Sequence, residues 1–137
     1  MKVDRAMLEA RMASTFPGLI GIEVDLVEHG RSEMRLPIRP DHLAPNGYLH
    51  AGAVVGLADT GCGFGCMMSL PDGAVGFTTI ELKTNFLATA REGEIHCTAT
   101  LSHGGRTTQV WDAVVTNPSG KTVAMFRCTQ LLLYPPD

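Results

Sequence analysis

Apolar residues recur along the chain with two different spacings, which predict where helices and strands lie. In residues 2–14, apolar side chains return every three or four positions, as on one face of an amphipathic helix, and the Pro-Gly pair at 17–18 is expected to end it. From residue 20 to 26, apolar and polar residues alternate, which is typical of a strand. The His-Gly turn at 29–30 and the alternation over 34–38 predict the second strand of a hairpin.

The most unusual segment is residues 52–69, which is apolar on almost every side and contains five glycines. A loop with two prolines, residues 39–49, precedes it, and the Pro-Asp-Gly turn at 71–73 follows it. Few of its residues are β-branched, so we predict a buried helix. Because each glycine costs a helix about 1 kcal/mol relative to alanine, very close packing against a sheet or another helix must compensate.

The rest of the chain predicts four more strands, separated by turns that contain glycine, proline or asparagine. The strands cover residues 80–86, 95–101, 107–116 and 121–133, with turns at 103–105 and 117–120. The order is therefore helix, two strands, one buried helix and four strands. A single helix buried by an antiparallel sheet that curls around it is an α+β architecture.

Length and composition indicate one folded domain. With 45% hydrophobic residues, residues 1–137 are predicted to form a single domain, with an N-terminal helix and connector at 1–18. The net charge of −3 argues against a protein whose main role is nucleic-acid binding. The N-terminus is too charged for a signal peptide, and no apolar run is long enough to span a membrane. We therefore expect a cytoplasmic protein without a membrane partner.

The four cysteines do not form a metal-binding pattern. Cys62 and Cys66 are one helical turn apart, but no neighbouring histidine or second close pair accompanies them. We expect all four to be small buried apolar residues. Neither a metal ion nor a redox cofactor is implied.

Asp59 lies in the middle of the predicted buried helix, where an unpaired carboxylate is costly. Two interpretations are possible. Asp59 is either structural, at a solvated helix edge or paired with a base such as Lys83 or Arg91, or its desolvation raises its basicity for catalysis.

Residues 46–52, N-G-Y-L-H-A-G, lead directly into the start of this helix. The first N–H groups of a helix lack internal partners and lie at the positive end of its dipole, so they suit a developing oxyanion on a carbonyl group. Gly52 also removes steric hindrance at this point. The alternative is an ordinary helix cap in which Asn46 stabilises a turn.

The spacing between the two candidate groups has a consequence for assembly. Ala51 and Asp59 are eight residues apart, or roughly 12 Å along a helix. Chemistry on one carbonyl requires reacting atoms about 3–3.5 Å apart. If the two groups cooperate, Asp59 must come from a second subunit with an antiparallel helix, an approach that a glycine-rich surface would permit. The catalytic hypothesis thus predicts a two-fold dimer with two equivalent sites.

The stretch N-G-Y-L-H-A-G-A-V-V-G-L-A-D-T, residues 46–60, resembles the signature of hot-dog thioesterases of the phenylacetic-acid-degradation (PaaI-like) group, approximately N-x-x-x-H-G-G-x-x-x-x-L-x-D. The similarity extends from about residue 20 to residue 133. It implies a hot-dog fold: an antiparallel sheet wrapped around one long central helix, here with an additional N-terminal helix. It also implies an acyl-CoA hydrolase, with CoA as part of the substrate and no separate cofactor, that forms at least a homodimer, with a homotetramer expected.

The resemblance assigns roles to individual residues. The helix-borne acid that attacks the thioester or activates water corresponds to Asp59, and the amide that polarises the carbonyl is that of Ala51. Asn46 corresponds to the loop residue that helps to place water or the carbonyl. Thr79 is the nearest match to an assisting hydroxyl, but strict alternation places it opposite Ile80, so it needs an edge or a bulge. The family usually has glycine where this chain has Ala51, whose methyl group could crowd the thioester.

The remaining candidates concern the histidine and the two ends of the substrate. His50 could be a general base, but its place against the helix start favours an orienting hydrogen bond or partial burial. For the CoA end, the resemblance points to turns that contain Arg91, Gly105 and Arg106. Phe77 is a candidate for the acyl pocket and could equally be part of the core.

Two alternative functions stay open at this stage. The same fold could carry a hydratase or dehydratase of acyl thioesters, with His50 and Asp59 as its pair, or a module that binds acyl-CoA without catalysis. Assays of enoyl-CoA hydration and of thiol release distinguish these functions. The acyl chain, and the choice between direct attack and general-base catalysis by Asp59, are not determined by the sequence.

Overall fold

The computed structural model describes residues 3–137, and two short helices precede its sheet. Helix α1 (Arg5–Met12) begins where the Asp4 carboxylate accepts the Met7 N–H at 2.9 Å, and helix α2 (Phe16–Ile20) follows after a short turn. The prediction of one helix over 2–14 that ends at Pro17 was wrong, because α1 ends at Met12 and Pro17 stands in the first turn of α2, where a missing N–H costs no hydrogen bond. Residue 2 of the predicted helix lies outside the described range. The predicted connector at 1–18 therefore ends inside a helix.

Six antiparallel strands form one sheet in the order β1-β2-β4-β5-β6-β3. The strands are β1 (Glu23–Glu28), β2 (Arg31–Pro37), β3 (Gly76–Phe86), β4 (Glu94–Gly104), β5 (Thr108–Thr116) and β6 (Thr122–Leu133). All six predicted strands are present, with changes at their ends. Ile20 belongs to α2, because Gly21 ends that helix with a left-handed φ of 88° before the strand begins. Strand β4 continues into the predicted turn at 103–105, with a bulge between Leu101 and His103.

The long helix α3 (Ala51–Met67) lies across one face of the sheet, and its sheet-facing side chains are fully buried. Glycine makes this approach possible. A Cβ atom at Gly65 would lie 2.5 Å from the Trp111 ring, and one at Gly61 would lie 3.1 Å from the Cys97 sulfur. The prediction that close packing compensates for the helical glycines is confirmed, and the sheet is the partner.

The glycine-rich surface of α3 was expected to permit the close approach of a second helix, and the contacts of its other glycines argue against this. A Cβ at Gly56 would meet the Phe16 ring at 3.2 Å, and a Cβ at Gly63 would meet the Phe77 ring at 3.0 Å. Side chains of the same chain therefore cover these glycines. They do not form a bare surface against which a second helix could pack.

The four cysteines are all free and buried, as expected. Burial raises the pKa of the Cys66 and Cys97 thiols to about 12. A hydrogen bond with Cys128, together with burial, raises the pKa of Cys62 well above its ordinary value. These thiols therefore stay protonated near neutral pH, which excludes Cys62 as a ready thiolate nucleophile. Among the helices of residues 3–137, none has the length and hydropathy needed to cross a membrane.

Candidate active site

The loop that enters α3 is held in shape by its own backbone. Leu43 and Leu49 form an isolated antiparallel bridge, and the Ala44 N–H donates to the Tyr48 carbonyl at 2.7 Å. Within this loop the Asn46 Oδ1 accepts the Tyr48 N–H at 3.1 Å, so the side chain of Asn46 stabilises the turn. The His50 N–H donates to the His42 carbonyl at 2.8 Å. The start of α3 is consequently fixed by several backbone bonds.

His50 is the N-cap of α3. Its Nδ1 accepts the Gly52 N–H at 2.7 Å, which is the orienting hydrogen bond that the sequence suggested, although the residue is exposed and not partly buried. A Cβ at Gly52 would lie 2.9 Å from that Nδ1, so glycine is needed for the cap to form. The expectation of several free amides here was too broad, because the Gly52 amide is already occupied.

The Ala51 amide differs from its neighbour. Ala51 is the first residue of α3 and is exposed, and within residues 3–137 its N–H has no hydrogen-bond acceptor. It therefore presents a free donor at the positive end of a 17-residue helix. A carbonyl oxygen that gains negative charge would be stabilised at this position.

Asp59 lies two turns further along α3. It is half-buried, and its Oδ1 is one of two buried side-chain oxygens in the described residues without a hydrogen-bond partner, the other being the Thr84 Oγ1. Burial raises the pKa of the Asp59 carboxyl above its ordinary value. The alternative that Asp59 is paired with Lys83 or Arg91 was wrong, because Asp59 forms no ion pair within residues 3–137. The carboxylate is thus more basic than an exposed one and has an unused acceptor atom.

Asp59 opens onto a largely apolar cleft of about 330 Å³. Helix α3 contributes one wall of this cleft, the N-terminal helices another and β3 a third. The lining residues are Leu8, Arg11, Pro17, Asp59, Thr60, Gly63, Phe64, Met67 and Phe77. Phe77 therefore lies in the same cleft as Asp59, as a residue of an acyl pocket would. Arg11 also lines the cleft. The sequence did not predict this, because a charged residue in an amphipathic helix is normally expected on the solvent-facing side.

Thr79 lies on β3, an edge strand, next to a bulge between Thr79 and Glu81. The edge and the bulge, either of which would let Thr79 reach the site, are therefore both present. Its hydroxyl donates to the Gln130 Oε1 at 2.7 Å, so within this chain the group is already engaged by a structural partner and does not bond Asp59. A role for Thr79 in the reaction stays a prediction.

The residues predicted for the CoA end do not come together within one chain. Arg91 precedes β4, whereas Gly105 and Arg106 follow it, and β4 has 11 residues. At about 3.3 Å per residue, these groups lie roughly 33 Å apart at opposite ends of the sheet. Arg91 is at the end where α3 begins, because the Leu49 N–H donates to the Ala90 carbonyl at 3.0 Å. No set of three or more His, Cys, Asp or Glu side chains within residues 3–137 is arranged to bind a metal ion.

Comparison with known proteins identifies the family. The family model of the thioesterase superfamily matches residues 46–124, a segment that spans more than half of the chain and contains Asn46, the start of α3 and Asp59. The chain belongs to the thioesterase superfamily. Its enzyme class, a thioester hydrolase, is thereby confirmed.

Individual thioesterases are similar over most of their length. The 1,4-dihydroxy-2-naphthoyl-CoA hydrolase of Listeria monocytogenes is 34% identical over 110 residues, which cover 80% of this chain and 89% of that protein. The acyl-coenzyme A thioesterase PaaI of Escherichia coli is 28% identical over 109 residues, or 79% and 75% of the two chains. A mutant of the thioesterase PA1618 from Pseudomonas aeruginosa has a TM-score of 0.90 at 26% identity and covers 98% and 97%. The expected hot-dog fold and the resemblance to PaaI are confirmed.

Proposed function

We propose that this thioesterase hydrolyses an acyl-CoA to a free carboxylic acid and CoA. The observation that carries the proposal is the Asp59 carboxylate, which has a buried oxygen without a partner and opens onto an apolar cleft. Similarity to two hydrolases of CoA thioesters supports CoA as the leaving group. The apolar lining supports an acyl group in the cleft.

In the proposed reaction the Ala51 N–H donates to the thioester carbonyl oxygen and stabilises its negative charge. Asp59 then acts in one of two ways. Its carboxylate attacks the carbonyl carbon, expels CoA as the thiolate and leaves an anhydride that water hydrolyses. Alternatively, it takes a proton from a water molecule that attacks the carbonyl and displaces the same thiolate. The raised pKa of the Asp59 carboxyl suits the second role, because it makes the carboxylate a better base.

We further propose that each site combines the two groups from different protomers. Ala51 and Asp59 are separated by eight residues of one continuous helix, or roughly 12 Å, so a single chain cannot apply both to one carbonyl. A two-fold dimer with antiparallel α3 helices brings each Asp59 toward the partner's helix start and forms two equivalent sites.

The edge strand β3 is the surface we propose for this dimer. Ile80, Leu82 and Phe86 on β3 are 57%, 44% and 48% exposed, and Leu87 after the strand is 57% exposed. An edge strand with exposed apolar side chains favours pairing with another strand, and pairing with a second copy of β3 would bury them. Since side chains of the same chain cover Gly56 and Gly63, strand pairing is the better-supported contact than helix packing. Association of dimers into a homotetramer is a further proposal.

Among the other residues, Arg91 is the proposed CoA contact that lies near the Ala51 end of α3. Gly105 and Arg106 lie at the far end of the sheet, so they could join the same site only from the partner chain. Asn46, whose Oδ1 already holds the Tyr48 N–H, would place water or the carbonyl through its free amide nitrogen. Pairing of His50 with Asp59 in a hydratase receives no support, because no hydrogen bond joins the two within residues 3–137 and the His50 Nδ1 accepts the Gly52 N–H instead.

The decisive experiment uses two variants that each remove one of the two groups. Asp59→Asn removes the base and should lower kcat by about 10²- to 10⁴-fold. Ala51→Pro removes the N–H, and the fold should tolerate it. Proline is favoured at the first position of a helix, and the ψ of 137° at His50 is in the extended region that a residue before proline prefers. Thiol release from a panel of aryl, short-chain and long-chain acyl-CoAs is the readout, and circular dichroism checks the fold.

Mixed assemblies then test whether the site is shared. The two variants are co-expressed with different tags, and dimers containing one of each are isolated. If the site spans two protomers, one of the two sites in a mixed dimer is intact, and about half of the wild-type activity returns. If mixed dimers are as inactive as either parent, the shared site is wrong. If Asp59→Asn keeps near-normal turnover on the best substrate, the assignment of Asp59 is wrong.

A further inference from the structure

Tyr48 and Arg91 form a contact that the proposed mechanism does not use. The central guanidinium carbon of Arg91 lies 4.0 Å from the centroid of the Tyr48 ring. This distance is well within the range of roughly 6 Å over which an arginine is attracted to the face of an aromatic ring. The ring remains 40% exposed, and Arg91 is exposed as well. The pair therefore forms a cationic surface that solvent and ligands can reach.

The backbone fixes where this pair lies. The Leu49 N–H donates to the Ala90 carbonyl at 3.0 Å, so Tyr48 and Arg91 flank a backbone bond between two loops. The backbone carbonyl and N–H of Tyr48 are both engaged, by Ala44 and by the Asn46 side chain. Tyr48 precedes Ala51 by only three residues. The guanidinium is thus held close to the helix start at which the thioester carbonyl is proposed to bind.

Stacking on the ring leaves the edges of the guanidinium available. Within residues 3–137 the Arg91 side chain makes no ion pair, and its N–H groups have no protein acceptor. A guanidinium presents its donors in a planar fork that matches two oxygens of a phosphate group. A long arginine side chain normally loses rotamer freedom on binding a ligand, and a ring that already restricts it reduces this loss.

We propose that Tyr48 is a positioning residue that holds the Arg91 guanidinium ready for a phosphate group of CoA. This inference rests on the proposed function for the identity of the ligand. It assigns a task to Tyr48, which lies within the signature-like segment 46–60 but at a position that the signature leaves open. Since the contact acts on the CoA end of the substrate, it contributes to binding and not to the chemical step.

The test compares two substrates that share an acyl group, one an acyl-CoA and the other an acyl-pantetheine without phosphate groups. Tyr48→Leu should raise KM for the acyl-CoA by about two- to five-fold, the size of an exposed cation–π contact, with kcat unchanged. KM for the acyl-pantetheine should not change. Tyr48→Phe keeps the ring and should behave as wild type. Arg91→Ala should raise KM for the acyl-CoA by about ten-fold, because it removes a charge-assisted hydrogen bond.

The double variant Tyr48→Leu/Arg91→Ala should match Arg91→Ala alone, since Tyr48 acts only through Arg91. Arg31→Ala, which removes a half-buried arginine paired with Glu33 on β2, is the control for net charge and should leave both KM values unchanged. The proposal is overturned if Tyr48→Leu affects both substrates equally, if Tyr48→Phe is as impaired as Tyr48→Leu, or if the effects of the two substitutions multiply.

Calorimetric binding of CoA itself separates this inference from the proposed function. Wild type should bind CoA more tightly than pantetheine, and Tyr48→Leu should weaken only the binding of CoA. That result supports the role of Tyr48 even if no thioester is hydrolysed. Hydrolysis of acyl-CoA together with CoA binding that is insensitive to Tyr48→Leu would support the proposed function and reject the role of Tyr48. Absence of CoA binding to wild type would also reject it.

Discussion

Two polar regions along helix α3, a fully buried one at its C-terminal end and a half-buried one in its middle, differ in how far their hydrogen bonds are satisfied. At its C-terminal end, the Gln109 Nε2 donates to the Ser69 carbonyl at 2.8 Å, and the Trp111 Nε1 donates to the Gln109 Oε1 at 2.7 Å. The Ser69 hydroxyl donates to the Gly65 carbonyl at 2.7 Å and accepts the Gly30 N–H at 2.8 Å. In the middle of the helix, the Asp59 Oδ1 has no partner.

The C-terminal network stabilises the fold, whereas Asp59 is the proposed catalytic carboxylate of the same helix. The side chains of the C-terminal network have their hydrogen bonds satisfied, because an unsatisfied buried group costs free energy. Asp59 keeps an unsatisfied oxygen beside a cleft, and burial raises the pKa of its carboxyl, as the proposed role as a base requires. The comparison predicts that substitutions at Gln109 and at Asp59 will have opposite effects on stability and activity.

The largest expected effect on stability comes from the C-terminal network. Gln109→Ala leaves the Ser69 carbonyl and the Trp111 N–H without their partner and creates a cavity, so the free energy of unfolding should fall by about 3 kcal/mol. Turnover per folded molecule should remain near wild type. Urea unfolding followed by circular dichroism, with thiol-release rates measured on the folded fraction, checks both expectations. A large loss of turnover with unchanged stability would contradict the comparison.

Asp59→Asn should act in the opposite direction on stability. The folded-state pKa of Asp59 is raised by burial, so the folded protein loses stability as pH rises through the unfolded pKa toward the folded one. Above the folded pKa this loss is complete and constant. Asp59→Asn should therefore be more stable than wild type near pH 7, and its advantage should disappear toward about pH 4.

Urea unfolding of wild type and Asp59→Asn between about pH 4 and about pH 8 measures this difference. Glu92→Gln, a substitution of an exposed acid in the loop before β4, is a control that should show no comparable gain. If Asp59→Asn is less stable than wild type at neutral pH, the carboxylate is engaged by a partner that favours its charge, and the comparison fails.

The smallest expected effect concerns the cap at the helix start. His50→Ala removes the acceptor of the Gly52 N–H and should lower the free energy of unfolding by about 1 kcal/mol. His50→Asn should recover most of this loss, because asparagine is a good N-cap residue. We expect kcat to fall by less than about ten-fold in either variant, since the cap orients the helix start and donates no proton. A larger fall in both variants would indicate a catalytic role for His50.

The sequence by itself determined the order of the elements and the spacing of the two candidate groups. Alternation and helical periodicity are local properties, so the six strands and the buried helix were predictable from short windows. The interval from Ala51 to Asp59 follows from the number of residues in one helix, and it alone requires a second subunit for a shared site. The turn at Pro17 was misjudged because a proline is equally compatible with the end of one helix and the start of the next.

Only the tertiary structure decided which partners these residues meet. Whether Gly56 and Gly63 are covered depends on Phe16 and Phe77, which come from distant parts of the chain. The missing partner of the Asp59 Oδ1 and the contact of Tyr48 with Arg91 are likewise set by long-range packing. Residues that are far apart along the chain have no local pattern that links them, so these contacts appear only when the sheet has closed around α3.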